Sequence, residues 1–91
     1  MKYKIIPTNK FRKDLKREEK RGRDLQLIKA VIRCIAEGNG LDPKYRDHAL
    51  TRNFSGYREC HILPDWLLIY RVTESDLILT LTRTGSHSDL F

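Results

Sequence analysis

Three histidines, His48, His61 and His87, are the side chains of this chain whose ordinary charge change falls closest to neutral pH. Each lies in a loop or at a strand end, and each has an aspartate nearby in sequence: Asp47, Asp65 and Asp89. Imidazole titrates at about pH 6.5, so one histidine can accept a proton while another donates one. Such a pair beside a positive surface is what metal-free RNA cleavage needs. A base takes the ribose 2′-OH proton, the 2′-oxygen attacks the adjacent phosphate, and an acid protonates the departing 5′-oxygen. A cation such as Arg83 stabilises the extra charge on the phosphorane-like transition state. Trp66, Tyr57 and Phe91 offer flat faces on which a splayed base can stack. A zinc site built from His48, His61, His87 and Cys60 is the rival reading, but no spacing here matches a zinc pattern. The chain has no Gly-rich phosphate loop and no G-x-S-x-G, so acyl transfer has no support.

The positive surface is at one end. The chain has 91 residues and a net charge of +6. Residues 1–23 hold ten basic side chains against Asp14, Glu18 and Glu19, a net of +7, which leaves −1 for the rest. A field of that sign attracts a polyanion, and nucleic acid is the expected one. Lys10, Lys13, Lys16 and Arg17 of this segment, with Arg58 further on, complete the candidate substrate-binding set. The bland alternative is a solvated helix face laced by pairs such as Glu19 with Arg23.

The elements that must position these groups follow from pattern. The length is that of one domain spanning 1–91. A hydrophobic fraction of 40% and a charged fraction of 33% are those of a folded, soluble chain. No apolar run approaches the roughly 18 residues of a membrane helix. The start, MKYKIIPTNKF, has no apolar stretch of signal-peptide type, so the cytoplasm is the expected location. Cys34 and Cys60 lack C-x-x-C spacing and read as two buried thiols.

Lys2 to Pro7 reads as a short strand. Thr8 or Asn9 caps a helix to about Arg21, with Phe11 and Leu15 on its apolar face. Asp24 caps a second helix to about Glu37, whose stripe of Leu27, Ile28, Val31, Ile32 and Ile35 is the main core face. Residues 41–55 form a long connector around Pro43. Three strands follow, at about Tyr57–Ile62, Trp66–Thr73 and Leu77–Thr84, joined by short turns into an antiparallel meander. Pro64 and Asp65 make the first corner. Cys60 and Ile62 point one way, Tyr57, Glu59 and His61 the other. Leu77, Leu79 and Leu81 should meet the helices. Alternation puts Arg83 with them, so a bulge or the strand end must aim it out of the core. The expectation is an α+β fold: two N-terminal helices on a curved antiparallel sheet, order β-α-α-β-β-β, with the first strand pairing back into the sheet.

Three segments carry a resemblance: KYRDHAL at 44–50, GYRECHILPDWLLIY at 56–70 and RTGSHSDLF at 83–91. In this order and spacing the chain resembles the YafQ branch of the RelE/ParE toxin superfamily, over nearly its whole length. The resemblance implies that fold and a ribosome-dependent mRNA cleavage activity that uses no metal or other cofactor. It carries the active-site histidines onto His48 and His61, the turn aspartate onto Asp65 and the following aromatic onto Trp66. It carries the last-strand arginine onto Arg83, the tail histidine onto His87 and the terminal aromatic onto Phe91. The family's acidic residue before the second histidine appears here as Glu59 rather than aspartate. His87 is then the expected general acid. His48 or His61, oriented by Asp65 or Glu59, is the base. The implied partners are a cognate antitoxin, mRNA in the ribosomal A site, ribosomal RNA, and operator DNA only through the antitoxin complex, with no membrane. The same fold also serves toxins that inhibit DNA gyrase, and a plain RNA-binding module is the third reading.

Overall fold

A computed structural model describes all residues from Met1 to Phe91. The chain forms β1 (Lys4–Pro7), α1 (Asn9–Lys20), α2 (Leu25–Ala36), a 3-10 turn (Pro43–Tyr45), β2 (His48–Ala49) and a second 3-10 turn (Arg52–Phe54). It continues through β3 (Arg58–Leu63), β4 (Trp66–Thr73), β5 (Ile78–Gly85) and the short α3 (His87–Leu90). The helix starts are set by side chains: the Thr8 hydroxyl accepts from the Phe11 amide and the Asp24 carboxylate from the Gln26 amide.

The five strands lie in the order β1-β5-β4-β3-β2. The meander is antiparallel, and the first strand does pair back into the sheet. It does so parallel to β5, Ile5 opposite Leu79, so the sheet is mixed rather than wholly antiparallel. The reason is connectivity: the helices lie between β1 and the meander, and the chain re-enters at the opposite edge through β2.

One face of the sheet packs on the helices. Phe11, Ile28, Val31 and Ile35 meet Cys60, Ile62, Trp66, Leu68, Tyr70, Leu79 and Leu81 there. The other face is not bare: Leu67 and Ile69 pack with Leu90 of α3, flanked by Leu50, Phe54 and Tyr57. Trp66 to Tyr70 are therefore all buried, from both sides. Two of the expected core leucines sit elsewhere. Leu27 is 40% exposed at the start of α2, and Leu77 is 45% exposed with φ 53, a left-handed residue of the turn before β5. Ile78 begins the strand in its place, and Leu79 and Leu81 keep the expected face.

The register of β4 and β5 slips once. Tyr70 opposes Leu81 and Ile69 opposes Arg83, which leaves Thr82 as the extra residue. This is the bulge that alternation required, and it lets Arg83 leave the core face. Inward-facing acids on α1 were not foreseen. Asp14 and Glu18 are 5% and 0% exposed, on the side of the helix that also buries Phe11.

Candidate active site

Strand pairing brings two of the histidines to one carboxylate. His48 on β2 sits directly opposite Glu59 on β3. His61 lies two residues along β3, on the same face as Glu59. The Glu59 Oε1 is 3.8 Å from His48 Nε2 and 3.6 Å from His61 Nε2. Glu59 is 6% exposed, whereas the side chains of His48 and His61 are half and one-quarter open. The other ring nitrogens are held by backbone. His48 Nδ1 is 2.7 Å from the Arg46 carbonyl oxygen, and His61 Nδ1 is 3.3 Å from that of Pro64. A carbonyl only accepts, so both Nδ1 atoms carry the hydrogen. In its neutral form each imidazole then presents Nε2 as the proton acceptor, beside an anion that steadies the charged form.

The tail reaches the same face. Leu67, directly across from His61, and Ile69, across from Glu59, bury against Leu90 of α3. Ile69 is in turn opposite Arg83, and Leu67 opposite Gly85. His87 is exposed at the start of α3, and its ring lies 4.9 Å from that of Phe91, which packs edge-on against Phe54. Arg83 donates from Nε to Asp14 Oδ2 at 2.7 Å and from Nη2 to Oδ1 at 3.2 Å, so Nη1 stays free.

Position of α3 depends on one carboxylate. Asp89 accepts from the Ser86 amide while the Ser86 hydroxyl accepts from the Asp89 amide, a reciprocal cap. Arg21 grips the same carboxylate with both terminal nitrogens, at 2.7 and 3.1 Å. Arg21, followed by the Ser86 amide, holds the Asp89 carboxyl well below the usual carboxylate range. A depressed native pKa contributes stability that is present above the unfolded value of about 4 and lost as pH falls through the native one. The seating of α3 should therefore hold from neutral pH down to about 4 and loosen only below it. Asp89→Asn should loosen it at neutral pH. Amide exchange at Asp89 and Phe91 reads both effects, and equally slow exchange in the variant at pH 7 would count against the latch.

Several expected site residues lie elsewhere. Trp66 is 0% exposed on the helix side of the sheet, where its Nε1 donates to the Thr84 hydroxyl at 2.9 Å. It offers no face for a base to stack on. Asp65 is exposed, and its carboxylate takes both terminal nitrogens of Arg23 at 3.2 Å rather than either imidazole. That guanidinium lowers its pKa. Of the two carboxylates left open by the sequence, Glu59 stands beside the histidines. Arg58 points to the helix side of β3 and binds Asp47, which also accepts from the Tyr70 hydroxyl. Arg17 is spent on Asp14, Glu18 and the Thr84 carbonyl. Tyr57 is half-buried under Arg71. Lys10, Lys13 and Lys16 remain exposed on α1 and form no ion pair. Cys34 is half-buried rather than buried, and Cys60 is sealed in the core, where burial pushes its thiol up to about 12. No group of three His, Cys, Asp or Glu side chains converges as a metal would need.

Sequence reasoning missed the arginine cluster. Arg17, Arg21 and Arg23 converge on Glu18, tying α1 to α3 through Asp89 and to the β3–β4 corner through Asp65. The available signal was that Asp14 and Glu18 fall on the helical face of Phe11, in a segment otherwise short of acids.

A small α+β domain with this sheet, and with a C-terminal tail folded over the face opposite its helices, finds its counterpart among known families. The family described as "Bacterial toxin of type II toxin-antitoxin system, YafQ" matches residues 3–91. The chain is a toxin of the type II toxin–antitoxin class. Within that class it belongs to the YafQ family. It is 38% identical over 85 residues to the mRNA interferase toxin YafQ of Escherichia coli (strain B / BL21-DE3), a match covering 92% of this chain and 90% of that one. The crystal structure of YafQ from E. coli strain BL21(DE3) superposes with a TM-score of 0.91 at 36% identity, over 98% of each chain. A metal-bound toxin from Helicobacter pylori gives 0.92 at 44% identity, over 98% of this chain and 99% of that one. YafQ in the E. coli DinJ–YafQ complex gives 0.88 at 38% identity, over 98% of each chain.

Proposed function

We propose that this toxin is an mRNA interferase, a ribosome-dependent endoribonuclease that cuts by general acid/base chemistry in the bacterial cytoplasm. The observation that carries the reading is the arrangement of His48 and His61. Both turn Nε2 toward one buried carboxylate, Glu59, on the sheet face that α3 and His87 share. One of these imidazoles, steadied by Glu59, takes the 2′-OH proton. The 2′-oxygen then bonds to phosphorus, and the bond to the 5′-oxygen breaks as His87 delivers a proton to it. The products are a 2′,3′-cyclic phosphate and a 5′-hydroxyl. Arg83, fixed by Asp14, directs Nη1 at the phosphate as charge builds there. Phe91, half-open beside His87, is the aromatic available to a base, in the place first given to Trp66.

Lys10, Lys13 and Lys16 supply the contact with ribosomal RNA, so binding should weaken steeply as salt rises. The partner that silences the toxin is a cognate antitoxin, whose acidic segment covers the site, and the pair represses its own operon. The test is induced growth with primer extension on a translated message, comparing the wild type with His87→Ala. Cleavage should fall by roughly 10²–10⁴-fold in the variant, the size of a positioned acid's contribution. Arrest that survives in His87→Ala without message cleavage would point to gyrase inhibition instead.

A further inference from the structure

The largest cavity, about 460 Å³, opens between the start of α2, the first 3-10 turn and the end of β3. We propose that it is a nucleotide subsite: it seats the base of the RNA residue flanking the scissile phosphate, while Lys44 and Arg46 hold that residue's phosphate. The inference rests on the nuclease reading and adds to it the surface that selects sequence.

Four observations carry it. The walls are of the right chemistry: Leu27, Tyr45, Leu63 and Pro64 are apolar or aromatic, the charged residues are Lys44 and Arg46, and no acid is present. The ligand it suits is thus flat, apolar and anionic. Leu27 and Leu63 are 40% and 37% exposed here, large apolar groups left open on one rim. The Lys44 ammonium lies 5.1 Å from the Tyr45 ring centre, so a π face and a cation are already adjacent.

The fourth observation is continuity with the proposed catalytic cluster. His61 is itself part of the wall. The carbonyls that fix His48 and His61 belong to Arg46 and Pro64, two further lining residues. β2 pairs with β3 only at Arg58 and Glu59, so the outer edge of β3 from His61 to Leu63 lies open toward this space. A base lodged there touches the residues that set both imidazole tautomers. The volume is that of a small-ligand pocket, which suits one nucleotide better than an extended protein segment.

The test uses a 2′-O-methyl RNA trinucleotide, which cannot be cut because its attacking hydroxyls are blocked. Titrated into ¹⁵N-labelled protein, it should shift the amides of Tyr45, Arg46 and Leu63. Tyr45→Ala should weaken its binding by roughly 5- to 100-fold, the worth of one base stacked on an aromatic ring. Should that variant fail to fold, Tyr45→Leu keeps the packing and removes the π face. On ribosomes, Tyr45→Leu should change which base flanks the cut, seen as moved primer-extension stops. Because the probe is never cleaved, the two readings fail separately. Groove shifts with a wild type that cuts no message keep the subsite and sink the nuclease. Shifts confined to His87 and Phe91, or groove amides that respond to an acidic apolar peptide and not to the trinucleotide, overturn the subsite.

Discussion

Exchanging Glu59 for glutamine is expected to lower message cleavage by roughly a hundredfold or more, the lower end of what a positioned acid or base contributes. The substitution keeps the shape of the side chain and removes its charge. Both imidazoles present Nε2 to this one group, at 3.6 and 3.8 Å. When either takes a proton, the nearby anion stabilises the imidazolium that forms. A neutral amide cannot do this, and its NH₂ can instead donate to Nε2 and occupy the atom that must accept. The fold should survive, because Glu59 makes no short hydrogen bond that holds elements together. A thermal midpoint within a few degrees of wild type, alongside lost primer-extension stops, is the expected pair of results. Asp65→Asn is the companion. Its carboxylate serves Arg23 at the β3–β4 corner, so cleavage should fall far less than in Glu59→Gln. Undiminished cleavage in Glu59→Gln would remove the carboxylate from the mechanism.

The helices and the meander were legible because their signals are local. Apolar spacing, Thr8 and Asp24 at the caps, and Pro64 at the corner depend on neighbours within a turn or two. Arg83 was legible for a different reason: a full charge in an apolar row forced a bulge, and Thr82 provides it. What was not legible depends on pairing across the chain. Alternation puts Glu59 on the face of His61, but nothing local brings His48 to the same carboxylate; that is done by β2, two residues long, laying His48 opposite Glu59. The parallel entry of β1 is equally non-local. The arginines in and just after α1 read as a free basic face, yet Arg17, Arg21 and Arg23 are occupied by Asp14, Glu18, Asp65 and Asp89, the last two distant in sequence. The tail, Gly85–Phe91, is polar until its last two residues. Its Ser86–Asp89 cap, the grip of Arg21 on Asp89 and the buried Leu90 make it a docked turn of helix.

Trp66→Ala should cost about 3–5 kcal/mol, the range for emptying a fully buried aromatic site. For a domain of this length the whole stability is roughly 5–14 kcal/mol, so the loss removes a large share of it and should lower the thermal midpoint by more than about 10 °C. The expectation follows from where the residue sits. It is 0% exposed, it packs in the helix-side core with Leu68 and Tyr70, and its indole N–H donates to Thr84, whose hydroxyl donates on to the Leu67 carbonyl. Position alone in GYRECHILPDWLLIY had suggested a stacking surface for RNA, and the two roles separate cleanly. Trp66→Phe keeps an aromatic face but leaves Thr84 without its donor, a loss of about 1–2 kcal/mol and hence roughly 5–15 °C in midpoint. Cleavage below that midpoint should stay near wild type. Because Trp66 is the sole tryptophan, its emission reports the site directly. A buried indole stays shielded from iodide, and RNA should leave its fluorescence unchanged. Quenching by the 2′-O-methyl trinucleotide, at full retention of the folded state, would return Trp66 to the substrate surface.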